Sequence, residues 1–127
     1  MTPTLTPTQL AQRTTVLAAD TLVGDRVVND HNQDIGTIRH LMIDLESGRV
    51  AYAVLSFGGF MGMGDKLFAI PWSALIVDKI DKQFILNIDK TLLEHAPGFD
   101  KDHWPNMADR AWGTELFSYY GAHPYWN

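Results

Sequence analysis

Ten glycines, five histidines and fifteen carboxylates are the groups in this 127-residue chain with chemistry to offer. Cysteine is absent, which removes disulfides, thiolate metal sites and a thiol nucleophile from consideration and fits a reducing compartment. The densest cluster is Gly58-Gly59-Phe60-Met61-Gly62-Met63-Gly64-Asp65. A phosphate-binding loop uses glycines so that backbone N–H groups converge on an anion at a helix start. Here Gly58, Gly59, Gly62 and Gly64 do not fit G-x-G-x-x-G, and Lys66 stands between Asp65 and Leu67 rather than between a glycine and a hydroxyl residue. The residues that follow read as a strand. Phe60, Met61 and Met63 instead make the loop apolar, as suits a contact with another protein or a fold-back over the chain's own body.

The other candidates weaken in the same way. No two histidines stand at the i, i+4 spacing of a helical metal site, although His95 and His103 bracket Asp100 and Asp102. Asp100-Lys101-Asp102 could open a calcium loop, but Pro105 occupies the sixth position, where glycine is needed, and Ala111 the twelfth, where a bidentate glutamate is needed. There is no G-x-S-x-G elbow, and Ser47, Ser56, Ser73 and Ser118 read as turn, strand and helix residues. Asp25, Asp44, Asp65 and Asp78 lie at strand ends or turns, where carboxylates commonly accept backbone N–H groups. No catalytic set, metal site or cofactor site is assigned. A net charge of −5 with no basic run argues against nucleic-acid binding.

The elements that would position these groups are short. From Leu22 to Asn87 the sequence has period-two or wholly apolar runs rich in β-branched residues, broken by Gly, Asn and Asp clusters. Strands are predicted over Asp25 to Asn29, Ile35 to Asp44, Arg49 to Phe57, Lys66 to Ile70, a short one at Ile76-Val77, and Gln83 to Ile88. Gly36 signals a bulge or bend, Glu46-Ser47-Gly48 a hairpin turn, and Pro71 a strand end. Both faces of Arg49 to Phe57 are mostly apolar, which predicts a central strand. Lys90 to Ala96 reads as a short helix. A second helix is predicted with Asn106 as N-cap, a stripe of Ala108, Trp112, Leu116 and Tyr119, and a stop at Gly121.

Aromatic residues crowd the C-terminal end: Phe99, Trp104, Trp112, Phe117, Tyr119, Tyr120, Tyr125 and Trp126 all fall in the last 29 residues. A helix this short is marginal alone, so the tail is expected to pack across the small β-barrel or sandwich that the strand pattern predicts, or on a partner subunit. The threonine-rich residues 1–20 lack the features of a secretory signal and read as a leader. No apolar run is long enough for a transmembrane helix, and a cytoplasmic location is expected.

Several separate segments carry a resemblance: Leu22-Val23-Gly24-Asp25-Arg26-Val27-Val28-Asn29, Ile35-Gly36-Thr37-Ile38, Met42-Ile43-Asp44-Leu45, Gly48-Arg49-Val50-Ala51-Tyr52-Ala53-Val54, Phe57-Gly58-Gly59-Phe60 and Gly64-Asp65-Lys66-Leu67-Phe68-Ala69-Ile70-Pro71-Trp72. Together they resemble the PRC-barrel family, which includes the cytoplasmic domain of the photosynthetic reaction-centre H subunit and the C-terminal domain of the ribosome maturation factor. The tail, with Ala96-Pro97-Gly98-Phe99-Asp100 and Tyr119-Tyr120-Gly121, resembles the extension of stand-alone bacterial members. The resemblance implies a mainly β fold: a small, strongly bent barrel of about six strands with a short helical, aromatic-rich C-terminal extension. It also implies a binding or assembly role with no catalytic residues to carry over.

The expected organisation is a leader over 1–20, the barrel over 21–89 and the extension over 90–127. The expected function is a non-enzymatic adaptor, self-associating as a homodimer, that binds a protein partner. Its candidate interface is Phe57, Phe60, Met61, Met63, Trp72, Phe99, Trp104, Trp112, Leu116, Tyr119, Tyr120 and Trp126. The alternative is a small-ligand or ion site at a barrel end, using Asp65, Asp78 or His103.

Overall fold

The computed structural model describes residues 16–58 and 65–127. Six strands, β1 (Arg26–Val28), β2 (Asp34–Asp44), β3 (Arg49–Gly58), β4 (Asp65–Pro71), β5 (Leu75–Asp78) and β6 (Gln83–Leu86), form one sheet in the order β4-β3-β2-β1-β6-β5. All neighbours are antiparallel except β1 and β6, which run parallel. Among the described residues three short α-helices, α1 (Ala19–Leu22), α2 (Lys90–Glu94) and α3 (Arg110–Tyr119), and a 3-10 turn at Trp72–Ala74 accompany the sheet. The expected mainly β, six-stranded fold with a helical, aromatic extension is what the chain forms, its strands making one half-barrel sheet.

Local sequence explains the turns. Asn29 is buried, and its Oδ1 accepts the N–H groups of His31 and Gln33 while its Nδ2 donates to Gln33 Oε1, closing the β1–β2 connection. Asp44 Oδ1 accepts the N–H groups of Glu46 and Ser47, and Asp78 Oδ1 those of Ile80 and Asp81, so both hairpin turns are Asx turns. Gly36 has φ +137° and its Cα lies so close to β3 that a Cβ would stand 2.4 Å from the Ser56 carbonyl oxygen. Only glycine fits there. The β1–β2 ladder shifts register beside it, between Val27 and Val28, and β2 carries two further irregularities against β3. Such bulges bend a sheet.

The bend encloses a core of Val27, Ile35, Ile38, Ala53, Leu55, Phe68, Ile70, Phe84 and Leu86, closed at one end by Leu93 and Ala96. A second cluster, Ala51, Tyr52, Ala69, Leu116 and Phe117, lies where the extension packs on β3 and β4. Strand β3 is accordingly buried on both faces from Ala51 to Ser56.

Most ends of β1 to β5 differ from expectation by one residue, and three boundaries differ more. β6 ends at Leu86, two residues early, and α2 ends at Glu94. The N-cap of α3 is Asp109, not Asn106: Asp109 Oδ1 accepts the Ala111 N–H at 2.9 Å. Asn106 makes the equivalent bond to Ala108 N–H at 3.1 Å, capping a separate turn just before the helix. Ala108 therefore lies outside α3, and Phe117 joins Leu116 on its buried face.

Candidate functional site

The extension is tied to the sheet edge and to the outer face of β3. Phe99 and Leu67 exchange two backbone hydrogen bonds of 2.8 Å, so the outer edge of β4 is occupied. Trp104 packs tilted against Phe99 at 5.1 Å and edge-on to His40 at 5.3 Å, and its Nε1 donates to the Lys101 carbonyl. Beyond this, α3 lies over Tyr52, whose ring meets Trp112 at 5.3 Å, Phe117 at 5.6 Å and Tyr125 at 6.4 Å. Gly113 permits that approach: a Cβ there would stand 2.7 Å from both Tyr52 Oη and the Trp126 ring. The Tyr52 hydroxyl is buried without a hydrogen-bond partner, and burial pushes its pKa up to about 12. The Tyr120 hydroxyl is likewise buried and unpartnered.

Where the extension meets the β2–β3 turn, the two elements leave a groove of about 550 Å³. One wall comes from the hairpin, with Met42, Ile43, Asp44, Leu45 and Glu46; the other comes from Met107, Arg110, Tyr125 and Trp126. Tyr125 Oη donates to Asp44 Oδ2 at 2.6 Å, and Arg49 Nη1 donates to the Tyr125 carbonyl at 3.0 Å. Those bonds join the two walls. Asp44 is held below the usual carboxylate range, first by the Tyr125 hydroxyl and then by the Ser47 N–H. Tyr125 is pushed up to about 12, by desolvation first and by its bond to Asp44 second. The Arg110 guanidinium stands 5.4 Å from the Trp126 ring centroid. The groove is lined by apolar side chains and carries charge on both walls.

Of the residues singled out from sequence, Leu116 is buried, and Phe57, Trp72, Phe99, Trp112, Tyr119, Tyr120 and Trp126 are partly buried against the chain's own core. Phe57 packs on Phe68 beneath Lys90, Trp72 stands edge-on to Phe84, and the Tyr119 hydroxyl donates to the Leu92 carbonyl. Trp104 is the most open, at 38% exposed. Phe60, Met61 and Met63 lie outside the described residues, as does the side chain of Asp65.

The polar candidates are engaged locally. Asp78 uses one oxygen on its turn and the other on Gln83, and Asp100 accepts from the exposed His103 ring at 2.8 Å. Among the described residues no three His, Asp or Glu side chains converge as a metal site. Sequence reasoning did not single out the groove residues Met42, Ile43, Leu45, Met107 and Arg110 for binding. Their only signal was the apolar Leu45 inside a polar turn.

A search of curated proteins finds no match. A solved structure of RimM from Pseudomonas aeruginosa, a protein assigned to 16S ribosomal RNA processing, is similar at 18% identity with a TM-score of 0.41. The likeness covers 63% of this chain and 48% of that one, so the chain spans about half the length of RimM. The PRC-barrel domain profile matches residues 14–93, which contain all six strands and α2 up to Leu93, and the chain belongs to the PRC-barrel domain family.

Proposed function

We propose that this chain is a non-enzymatic binding and assembly module, an adaptor that associates with itself and with a protein partner in the cytoplasm. The observation that carries the reading is the apolar surface beside the groove: Leu45 is 91% exposed and Ile43 46% exposed. A turn that needs only polar residues and glycine has no folding use for an exposed leucine, and apolar side chains grouped at the rim of a groove suit a contact surface. Trp104 adds an exposed aromatic on the extension. Membership of a family used for binding and assembly agrees with this. Among the described residues no helix is long and apolar enough to cross a membrane.

The packing of the extension moves the emphasis within the expected interface. Leu116 is already committed to the chain's own sheet and Phe57 to its core, so the surface offered to partners is drawn from Trp104 and the groove rim. The test of self-association is the mass of the full chain in solution across a concentration series. A dimer at micromolar concentration is the expected result; a strict monomer at about 100 μM, a Kd too weak for a stable assembly, counts against it.

A second reading, a small-ligand domain, is favoured by a cavity of about 470 Å³ lined by Leu17, Thr21, Leu22, Asp25, Val77, Asp78, Lys79 and Lys82. Asp25 in its wall is raised above the usual carboxylate range by burial, opposed by Lys82. A thermal-shift panel of metals and metabolites tests it, because a ligand at a hundred times its Kd stabilises by about 2.7 kcal/mol.

A further inference from the structure

We propose that the cavity between α1 and the β5–β6 hairpin binds a small zwitterion with an apolar tail, the chemistry of an apolar α-amino acid. The inference rests on the small-ligand reading and names the ligand class for its cavity. The space, about 470 Å³, falls within the roughly 300–1,000 Å³ of small-molecule sites. Leu22 on α1, Leu17 just before it and Val77 on β5 give it apolar walls. Leu22 and Val77 also pack on the barrel core, so these walls are held from behind.

Two opposite charges in those walls select the ligand. Asp25 and Lys82 both line the cavity and act on each other through space, yet among the described residues no ion pair or side-chain hydrogen bond engages either of them. The other two charges are committed elsewhere: Asp78 accepts from Ile80, Asp81 and Gln83, and Lys79 is not free. An ammonium beside Asp25 and a carboxylate beside Lys82 answer both charges at once. A fatty acid or an amine answers only one and leaves the other facing a bound apolar body, where an unpaired charge is disfavoured. Burial raises the pKa of Asp25, with Lys82 opposing, which is the behaviour of a carboxylate short of nearby positive charge.

Both charges stand on fixed backbone. The Asp25 N–H donates to the Leu22 carbonyl, and the Asp25 carbonyl accepts from Ile38. Asp78 holds the hairpin turn, and Gln83, which donates to its second oxygen, accepts in turn from Arg26. Lys82 ends that turn at φ +53°, a left-handed conformation that glycine and asparagine adopt more readily. The turn itself therefore gives no reason for a lysine there. In the groove at the β2–β3 turn, by contrast, the charges are already engaged, Asp44 by Tyr125 and Arg110 against Trp126.

Calorimetric titration of the full chain tests this with L-leucine and L-phenylalanine and with three analogues. These are 4-methylpentanoate, which lacks the ammonium, 3-methylbutylamine, which lacks the carboxylate, and glycine, which lacks the tail. The expected result is saturable binding of leucine or phenylalanine below about 1 mM, at least about tenfold tighter than any analogue. Asp25→Asn and Lys82→Asn, the latter chosen because asparagine tolerates the left-handed backbone, should melt like wild type and lose at least about tenfold in that affinity. An analogue that binds as tightly as the amino acids overturns this ligand class while the small-ligand reading stands. If either variant binds the amino acid like wild type, the pairing of both charges is overturned. If neither amino acid binds at about 10 mM, the proposal falls, and the thermal-shift panel of metals and metabolites then decides the small-ligand reading separately.

Discussion

Three tyrosines show how one residue type can work in different ways within a single packed layer. Tyr52 buries its ring among Trp112, Phe117 and Tyr125 and leaves its hydroxyl without a partner. An unpaired buried hydroxyl costs about 1–3 kcal/mol in desolvation, so Tyr52→Phe should be neutral or stabilise the chain by about 1 kcal/mol in chemical denaturation. A clear loss of stability would mean that the hydroxyl has a partner in solution. Tyr125 is the opposite case, since its hydroxyl donates to the Asp44 carboxylate. Asp44 has a folded pKa below the ordinary aspartate value of 3.8, so its contribution is present above that value and lost as pH falls through the folded pKa. Tyr125→Phe removes the largest cause of the depression. Stability of that variant should therefore fall at neutral pH and depend less steeply on pH below about 4, as denaturation curves across acid pH will read. The Tyr120 hydroxyl, buried like that of Tyr52, shows that aromatic packing around the extension takes precedence over hydrogen bonding at two positions.

Elements were legible in the sequence where local pattern and tertiary use coincided. Val50 to Phe57 is apolar on both faces, and β3 is covered on both. Gly36 marked the point where β2 presses against β3, and Gly121, at φ +67°, stands just past the end of α3. The start of α3 was misplaced because two good caps stand three residues apart, and either satisfies the first N–H groups it meets. The chain uses both, Asn106 for the turn and Asp109 for the helix. Asp109→Ala should cost about 1 kcal/mol in a denaturant titration and Asn106→Ala distinctly less, because only the first removes a cap from the helix that covers Tyr52. Equal costs would show that turn and helix act as one unit. The groove was not legible in the same way. Met42 and Met107 are separated by a long stretch of chain, and only the fold of the extension across β3 makes them neighbours. Spacing along a sequence carries no signal for that.

At the scale of the whole molecule, barrel and extension make one buried layer, and removing either side should undo it. Deleting residues 99–127 uncovers Ala51, Tyr52 and Ala69 and frees the outer edge of β4 at Leu67. An apolar face beside an open strand edge is a template for aggregation. The truncated chain should therefore be insoluble or melt well below the full chain; a soluble truncation with an unchanged melting temperature would show the extension to be dispensable.

Alkaline pH offers a gentler way to loosen the same layer. Tyr52 and Tyr125 are raised from 10.0 to about 12, and Tyr120 is raised as well, in each case first by desolvation. A group with a raised folded pKa gives stability that is complete below its unfolded pKa and is lost as pH rises through the folded value. The affected window thus opens near pH 10 and runs to about pH 12, with all three tyrosines pulling in one direction. Tyr52 and Tyr125 lie where the extension meets β3, and Tyr120 packs against both clusters. Their ionisation should accordingly release the extension. Tyrosinate absorbance followed together with tryptophan emission should show these tyrosines ionising as Trp112 and Trp126 become exposed, in a single transition. Independent titration near pH 10 with unchanged tryptophan emission would mean that the phenols reach water while the layer stays closed, and that burial of the extension is looser than its packing on β3 indicates.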